Sequence, residues 1–270
     1  MTSGIRQALG NVLTKALGLV RSYPTRLTDE PDVRSLIRSL RPYSTEASLI
    51  RLGPDSDGGY LVPDDLRGIE ACFSPGVAFA SGFEMDCAQL GMMVFMADGS
   101  VDKPSLSHQL FHFTKKFVGA TTSETFITMD QWVETSLPNS TSELLLQIDI
   151  ESGEYEAFLS TSDALMRRFR IIVVEFHQLD KLFSKPFFDI ANSAFRKILQ
   201  SHSCVHIHPN NCCGSVKVQG LHVPRVVEIT FLRTDRVRGS SPAREFPNPL
   251  DRDNTGLAPL PLPPVWFDQK

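Results

Sequence analysis

The chain has no apolar run long enough to cross a membrane and no excess of positive charge. Its 270 residues include 27 Lys and Arg against 31 Asp and Glu, which gives a formal net charge of -4. A transmembrane helix needs about 20 consecutive apolar residues, and a nucleic-acid-binding face needs clustered basic residues. We therefore expect neither a transmembrane segment nor a nucleic-acid partner. No secretory leader pattern is visible either, so we expect a cytoplasmic protein.

Cysteine is also scarce, and its spacing excludes two common frameworks. The five cysteines are odd in number, Cys212 and Cys213 are adjacent, and no C-x-x-C pair occurs. A disulfide scaffold or a structural zinc site needs paired, regularly spaced cysteines. The spacing therefore predicts reduced thiols.

Two short apolar runs that end in acidic residues are the most informative pattern present. Residues 144–151 read LLLQIDIE, and residues 171–177 read IIVVEFH. Continuous apolar runs of this length are typical of strands buried on both faces of a parallel sheet. Ligands of such sheets bind at the carboxyl ends of the strands. The pattern predicts one crevice that gathers Asp149, Glu151, Glu175 and His177.

The rest of the hydrophobic pattern alternates between strands and helices. Strands are predicted at 69–73, 92–96, 112–118, 144–148, 171–174, 205–207 and 226–232, with a hairpin within 214–224. Helices are predicted at 33–40, 83–91 and 129–136, from about 154, and at 186–200. This alternation, with an antiparallel pair at the end, predicts an α/β protein with a doubly wound sheet.

The two ends of the chain differ in character from the centre. Residues 1–20 carry an apolar helical stripe, typical either of a membrane-surface helix or of a helix packed on the body or on a second subunit. The tail, 238–270, contains seven prolines and is predicted to be an extended strap or a mobile end, without regular structure. Trp266 and Phe267 favour the strap. We divide the chain into a helical extension (1–48), a catalytic domain (49–237) and the tail.

The segment Ser74-Pro75-Gly76, between a predicted strand and a predicted helix, has the shape of the first βα turn of a Rossmann-like sheet. The full G-x-G-x-x-G pattern is absent. Asp98 ends the next strand about twenty residues later, where an acid can bind both ribose hydroxyls, or can simply form a turn. Pro75 removes an amide that a pyrophosphate would need. The loop therefore suits a nucleoside without phosphate, such as S-adenosylmethionine.

The acidic strand ends have the composition of a divalent-metal site. Oxygen ligands from Asp149 and Glu175, completed by water, suit Mg²⁺ or Mn²⁺. His177 can add a nitrogen ligand or act as a base. The alternative is that Asp149 and Glu154 merely cap the following helix, and for Glu154 we favour that interpretation.

A third polar group lies in the segment HIHPNN at 206–211. His206 and His208 share one face of a predicted strand, and His208 stands beside two amides. The segment can provide a base and hydrogen-bonding groups for a polyol, or it can be a polar turn initiated by Pro-Asn-Asn.

These motifs together resemble a known family. Residues 149–154 (DIESGE) resemble the D-I-E-G-x-E signature of FkbM-type S-adenosylmethionine-dependent methyltransferases, which include bacterial sugar O-methyltransferases. Further matching segments follow the family order over about residues 50–255. They are DGGY at 57–60, FSPG at 73–76 with Phe83-Glu84, VEFH at 174–177, HPNN at 208–211, VEIT at 227–230 and PLD at 249–251. Ser152 stands in place of the expected glycine, and Pro75 in place of a small residue.

The resemblance implies a Rossmann-like class I methyltransferase sheet with helices on both faces. It implies an O-methyltransferase acting on a sugar or polysaccharide hydroxyl, assisted by Mg²⁺ or Mn²⁺. The expected cofactor-binding residues are Ser74, Gly76, Phe83, Glu84, Asp98, Asp57 and Gly59. The expected metal ligands are Asp149, Glu175 and His177, the catalytic residues His177 and His208, and the substrate-binding residues Glu151, Asn210 and Asn211.

Two other functions stay open at this point. Asp149-Ile150-Glu151 is also a D-x-E pattern, which a metal-dependent glycosyltransferase uses to hold a sugar nucleotide. The chain can also be a non-enzymatic scaffold docked to a membrane or a second subunit through its N-terminal helix.

Overall fold

A computed structural model describes residues 24–77 and 81–268, together with Gly10, Val12, Thr14 and Leu17. Apart from those four positions, the predicted N-terminal helix lies outside the described residues and stays a prediction. None of the described helices is long and apolar enough to cross a bilayer.

The described elements alternate along the chain much as the hydrophobic pattern indicates. The helices are α1 (Glu30–Ser39), α2 (Gly82–Gln89), α3 (Met129–Ser136), α4 (Glu154–Ser160), α5 (Asp163–Met166) and α6 (Lys185–Leu199). The early strands are β1 (Tyr43–Ser44), β2 (Leu49–Leu52), β3 (Tyr60–Pro63), β4 (Ala71–Pro75), β5 (Met93–Ala97), β6 (Phe111–Thr114), β7 (Phe117–Val118) and β8 (Phe126–Ile127). The later strands are β9 (Leu144–Ile148), β10 (Phe169–Phe176), β11 (His202–Pro209), β12 (Ser215–Val218), β13 (Leu221–Pro224), β14 (Val227–Arg233) and β15 (Ser241–Pro242). Short 3₁₀ turns follow β10 and β14 and end the tail, at Leu179–Phe183, Thr234–Arg236 and Pro264–Trp266.

The centre of the molecule is a seven-stranded sheet with the order β6-β5-β4-β9-β10-β14-β11. The five strands from β6 to β10 are parallel to their neighbours, whereas β14 is antiparallel to both β10 and β11. Counted in chain order, the first five sheet strands are arranged 3-2-1-4-5, as in a Rossmann-like sheet. The α/β prediction and the antiparallel pair at the end are confirmed, and the sheet is compatible with a Rossmann-like fold.

Both faces of the central strands of this sheet are buried, because apolar side chains on each face pack in a core cluster. In β9, Leu144 and Leu146 belong to one core cluster, whereas Leu145 belongs to the other. Trp132 of α3 packs in the first cluster and Phe83 of α2 in the second. The prediction of helices on both faces of the sheet is therefore confirmed.

Strand boundaries differ from the sequence prediction in one region that matters for function. The prediction of a single strand at 112–118 was wrong, because a turn separates β6 from β7. In this turn the backbone amide of Lys116 donates to the Thr114 carbonyl. Instead β7 pairs with β8 in a small parallel sheet of its own. The predicted hairpin within 214–224 is confirmed by the pairing of β12 with β13.

The proline-rich tail is a strap over the body. Trp266 is fully buried in the larger core cluster, and its indole N–H donates to the His222 carbonyl. The expectation that the tail has no regular structure was wrong for two short pieces, β15 and the 3₁₀ turn at 264–266. The two-residue strand β15 pairs with β1, a marginal position where proline is tolerated.

The expectation of five reduced thiols was wrong for one pair. Cys212 and Cys213 form a disulfide between adjacent residues, which spacing rules for disulfide frameworks do not anticipate. Cys72, Cys87 and Cys204 are free and buried.

Candidate functional site

The sheet register places a row of ionisable side chains across four neighbouring strands. Asp149 and Glu175 directly follow Ile148 and Val174, which are register partners in β9 and β10. Glu175 is opposite Glu228 of β14, and Glu228 is opposite His208 of β11. Register partners in a sheet point to the same face, so the four residues form one line along the edge where β9 and β10 end.

The first half of this row lines an acidic pocket of about 220 Å³. The Nε2 atom of His177 lies 3.8 Å from Asp149 Oδ1, 3.6 Å from Glu151 Oε2 and 3.7 Å from Glu175 Oε1. The pocket is lined by Asp57, Asp149, Glu151, Glu175, His177, Asn210, Cys212, Cys213, Val226 and Thr255. The four side chains that the strand ends were expected to gather do lie together.

Glu154 holds His177 in this position. It is fully buried, and its Oε1 lies 3.1 Å from His177 Nδ1. A carboxylate only accepts hydrogen bonds, so Nδ1 carries the proton and donates to it, which leaves Nε2 directed at the other acids. The sequence-based interpretation of Glu154 as a simple helix cap missed this role. The signal available was its place at the end of the DIESGE segment.

The loop between β9 and α4 has a strained backbone at two non-glycine residues. Glu151 has φ 54° and Ser152 has φ 87°, in the left-handed region that favours glycine. Glu154 Oε1 also accepts hydrogen bonds from the amides of Ile150 and Ser152, which holds the loop in this shape. Ser152 thus adopts a glycine-type conformation at the position where the resemblance expects glycine. Strain of this kind is often retained at functional sites.

The pocket has an excess of negative charge that shifts the acidity of its members. Burial and the neighbouring carboxylates raise the pKa of Asp149 to about 7, although His177 opposes that shift. Burial, followed by the charges of Asp149 and Glu228, raises the pKa of Glu175. Burial alone would lower the pKa of His177, but Glu154, Asp149 and Glu175 together raise it to about 9. A bound cation would relieve this repulsion.

The donor groups fit a divalent cation. One ligand atom each from Asp149, Glu151 and His177 lie within 4.8 Å of one another. Glu175 lies beside them, and its Oε2 is buried without a hydrogen-bond partner among the described residues. Carboxylate oxygens with one imidazole nitrogen suit Mg²⁺ or Mn²⁺. The tightest group of possible ligands thus contains Glu151, which the resemblance assigned to substrate binding. Glu175, which the resemblance assigned to the metal, lies beside this group.

A second and larger cleft, of about 440 Å³, adjoins the acidic pocket and shares Asp149 and Glu151 with it. One wall comes from the loop after β4 and another from the aromatic pair Phe117 and Phe126 on β7 and β8. The ring centroids of that pair are 5.6 Å apart. The cleft is lined by Gly76, Ala97, Asp98, Ser100, Phe117, Val118, Phe126, Asp149, Ile150, Glu151 and Gly153. Sequence patterns missed the aromatic wall, because β7 and β8 are too short to produce a periodic signal.

Two residues at the rim of this cleft, Gly76 and Asp98, are held in place by close contacts. Gly76 has φ +90°, and a Cβ atom there would lie 1.6 Å from the Asp149 carbonyl oxygen, so the two loops touch at the backbone. Asp98 is buried and lines the cleft, while its Oδ1 accepts from the amide and the hydroxyl of Ser100. Asp98 therefore forms the turn that the sequence gave as its alternative role, and it also faces the cleft. Its role toward ribose stays a prediction.

The other expected cofactor residues lie elsewhere. Ser74, Phe83 and Glu84 are buried, and the Ser74 hydroxyl bonds with the side chains of Glu84 and Gln147. Asp57 lines the acidic pocket instead of the larger cleft. A Cβ atom at Gly59 would lie 2.0 Å from the Pro54 carbonyl oxygen, so this glycine packs within its own turn.

The polar residues at the end of β11 and directly after it have three different roles. Asn210 donates to Glu175 Oε1 at 2.9 Å and lines the acidic pocket. The amide of Asn211 is engaged by the tail, because it donates to the carbonyls of Thr255 and Leu257 and accepts from Thr255. We therefore assign Asn211 to anchoring the tail. His208 faces a separate cavity under the tail.

Comparison with known proteins adds no identity. No protein-family model matches the chain, and no curated protein matches its sequence. The site is therefore interpreted from its own chemistry.

Proposed function

We propose that the protein is an S-adenosylmethionine-dependent O-methyltransferase that acts on a sugar hydroxyl with the help of Mg²⁺ or Mn²⁺. One observation carries the proposal. A cleft large enough for a nucleoside shares a wall, formed by Asp149 and Glu151, with a pocket of acids and an imidazole. A methyl donor in the first and a hydroxyl in the second would meet at that wall. The Rossmann-like sheet is compatible with the class I methyltransferase fold that the sequence motifs imply.

The cleft has the features that an adenosine group requires. Gly76 brings a bare backbone to the rim, Asp98 offers a carboxylate for ribose hydroxyls, and Phe117 and Phe126 offer aromatic surface for the base. Pro75 withholds one amide from the loop, which disfavours a diphosphate. When bound, S-adenosylmethionine supplies an electrophilic methyl group on a sulfonium.

The acidic pocket would hold the metal and receive the proton. Asp149, Glu151 and His177 would hold the ion, and a divalent ion there would lower the pKa of a hydroxyl that it binds. Glu175 keeps one buried oxygen without a partner among the described residues. Its raised pKa suits it to accept a proton from the acceptor hydroxyl. Glu154 and Asn210 fix His177 and Glu175 respectively, and such positioning lowers the barrier.

A metal-dependent glycosyltransferase is the second candidate. The grouping of Asp149 and Glu151 with His177 favours it, because a D-x-E clamp on a sugar nucleotide needs the same side chains. The two candidates differ in the ligand expected in the larger cleft.

A thermal-shift experiment separates them. S-adenosylhomocysteine should stabilise the protein, and at about 100 times its Kd the gain is about 2.7 kcal/mol. UDP or GDP with Mn²⁺ should have no effect. Transfer of labelled methyl from S-adenosylmethionine to mono- and oligosaccharides should then be detected and should fall on addition of EDTA. Stabilisation by a nucleoside diphosphate with Mn²⁺, and none by S-adenosylhomocysteine, would favour the glycosyltransferase.

Asp98 gives a matched test of the cleft itself. Asp98→Asn should weaken S-adenosylhomocysteine binding, because the carboxylate is lost while the side-chain size is kept. Asp102 serves as the control, since it lies nearby, is exposed and pairs with Lys115. Asp102→Asn should leave the affinity unchanged. Equal affinities for all three proteins would remove Asp98 from the ribose site.

A further inference from the structure

His208 is the one ionisable member of the strand row that faces another cavity. This cavity, of about 400 Å³, lies between the end of β11 and the proline-rich tail. Neighbouring strands are about 4.8 Å apart, so two strand spacings, roughly 10 Å, separate the His208 and Glu175 backbones. His208 is therefore distant from the acidic pocket and needs a role of its own.

At the back of the cavity, one carboxylate contacts two imidazole rings. Asp251 Oδ1 lies 2.8 Å from His206 Nε2, and Asp251 Oδ2 lies 3.5 Å from His208 Nδ1. Asp251 Oδ2 also accepts from the Asn248 amide. Burial opposes ionisation of Asp251, but the hydrogen bonds with His206 and His208 outweigh it and hold its pKa below the ordinary value. The carboxylate is thus charged and holds both rings from the tail side.

One atom of this group has no partner. His208 Nε2 is buried and makes no hydrogen bond with any described residue, and only 7% of His208 is exposed. His208 Nδ1 lies on the side of Asp251, so Nε2 is the ring nitrogen left for a ligand. A buried polar atom left unpaired destabilises the folded protein. This nitrogen therefore calls for a ligand with a hydroxyl group, which can either donate or accept a hydrogen bond.

The other walls restrict the kind of ligand. Phe246, Leu260 and Leu262 form part of a mostly apolar lining with the tail prolines, whereas Arg252 and Asp253 add charged groups. A ligand that combines a hydroxyl for His208, a flat apolar face and further hydroxyls for the charged groups fits this lining. A pyranose ring has this combination, and its C–H face packs on aromatic and proline surfaces.

We propose that the cavity between β11 and the tail binds one pyranose unit of a carbohydrate, with a ring hydroxyl hydrogen-bonded to His208 Nε2. The site lies away from the proposed methyl-transfer centre and goes beyond that function. It would hold a sugar unit distant from the reacting hydroxyl, so it would favour oligosaccharides over monosaccharides. His208 is then a binding residue and not the base that the sequence indicated.

The test is an NMR titration that follows the imidazole signals of His208 in the full chain. Methyl glycosides of glucose, galactose, mannose and fucose serve as probes, and phenol serves as a non-sugar hydroxyl donor. At least one glycoside should shift the His208 signals in a saturable manner. Shifts with phenol alone, or with no probe, would overturn the proposal.

Two variants locate the binding. His208→Phe removes the ring nitrogens and keeps a ring in place, and Leu260→Trp fills the cavity while both histidines are retained. Both should weaken glycoside binding at least about tenfold (1.4 kcal/mol). If His208→Phe does not fold, Leu260→Trp still tests whether the glycoside binds in this cavity. The controls are His222→Phe and Leu257→Trp, both at exposed side chains. Both control variants should bind the glycoside as the parent does. Unchanged binding in Leu260→Trp would overturn the proposal.

S-adenosylhomocysteine binding, measured on the same proteins by thermal shift, separates this site from the proposed function. Both cavity variants should keep it. Sugar binding at His208 without S-adenosylhomocysteine binding would contradict only the methyltransferase assignment. The reverse result would contradict only the sugar site.

Discussion

Glu154 Oε1 lies 3.1 Å from His177 Nδ1, and this contact fixes how the acidic pocket presents its imidazole. The two residues are 23 positions apart and belong to α4 and to the loop after β10. A carboxylate behind a ligating histidine sets the tautomer and raises the basicity of the nitrogen that faces the metal. The contact therefore links a buried structural acid to the proposed chemistry.

Replacing Glu154 should weaken metal binding although Glu154 is not among the proposed ligands. Glu154→Gln keeps the shape of the side chain and removes its charge, so we expect a loss of Mn²⁺ affinity of roughly 10- to 100-fold. Calorimetric titration with Mn²⁺ measures it. Glu156 lies on the same helix and is exposed, so Glu156→Gln should bind Mn²⁺ like the parent. Equal affinities for both variants would contradict the role of Glu154.

Ser152→Gly should stabilise the protein. Ser152 has φ 87°, and a non-glycine residue in the left-handed region costs on the order of 1 kcal/mol. Glycine removes that cost, although its greater freedom in the unfolded chain offsets part of the gain. Urea denaturation measures the change. Ser152→Ala keeps the strain and should not stabilise; a gain of the same size in Ser152→Ala would show that backbone strain is not the cause.

Gly76 and Gly91 form a matched pair, because they share a φ near +90° and differ in surroundings. A Cβ atom at Gly76 would meet the Asp149 carbonyl oxygen at 1.6 Å, whereas one at Gly91 would meet no described atom within 4 Å. Gly91→Ala should cost about 1 kcal/mol, from backbone strain alone. Gly76→Ala should cost more and should abolish S-adenosylhomocysteine binding, because one of the two loops must move. Urea denaturation measures the loss of stability in the two variants, and thermal shift measures S-adenosylhomocysteine binding. A similar loss of stability in both variants would refute the close approach of the two loops.

His202 should make folding sensitive to acid. Burial lowers its pKa from 6.5 to about 4, against an opposing hydrogen bond with the Phe169 carbonyl. Below pH 6.5 the unfolded chain therefore binds a proton that the folded protein does not. Stability should fall as the pH drops from 6.5 to about 4, by on the order of 3 kcal/mol in all.

His202→Gln keeps a donor for that carbonyl and removes the titration. The variant should lose much of the decline in unfolding free energy between pH 6.5 and 4. The exposed residue His222 provides the control, and His222→Gln should keep the decline. A slope in His202→Gln equal to that of the parent would exclude His202 as the cause.

The location of the site followed from local sequence. Apolar runs such as 144–148 must be buried, and polar residues directly after them must emerge at the sheet edge, so Asp149 and Glu175 could be placed together without coordinates. The approximate bounds of the main sheet strands followed from the same pattern. So did the burial of Trp266, because a large aromatic side chain gains free energy when it leaves water.

What only the tertiary structure decided depends on loop conformation and on contacts between distant segments. Asn210 meets Glu175 across 35 residues and Asn211 meets the tail across 44, and such distances leave no periodic trace in the sequence. The left-handed backbone at Glu151 carries that side chain into the proposed metal site. The strand order of the sheet moves His208 two strands away from Glu175. Sequence thus determined which residues reach the sheet edge, and long-range packing decided which of them face one another.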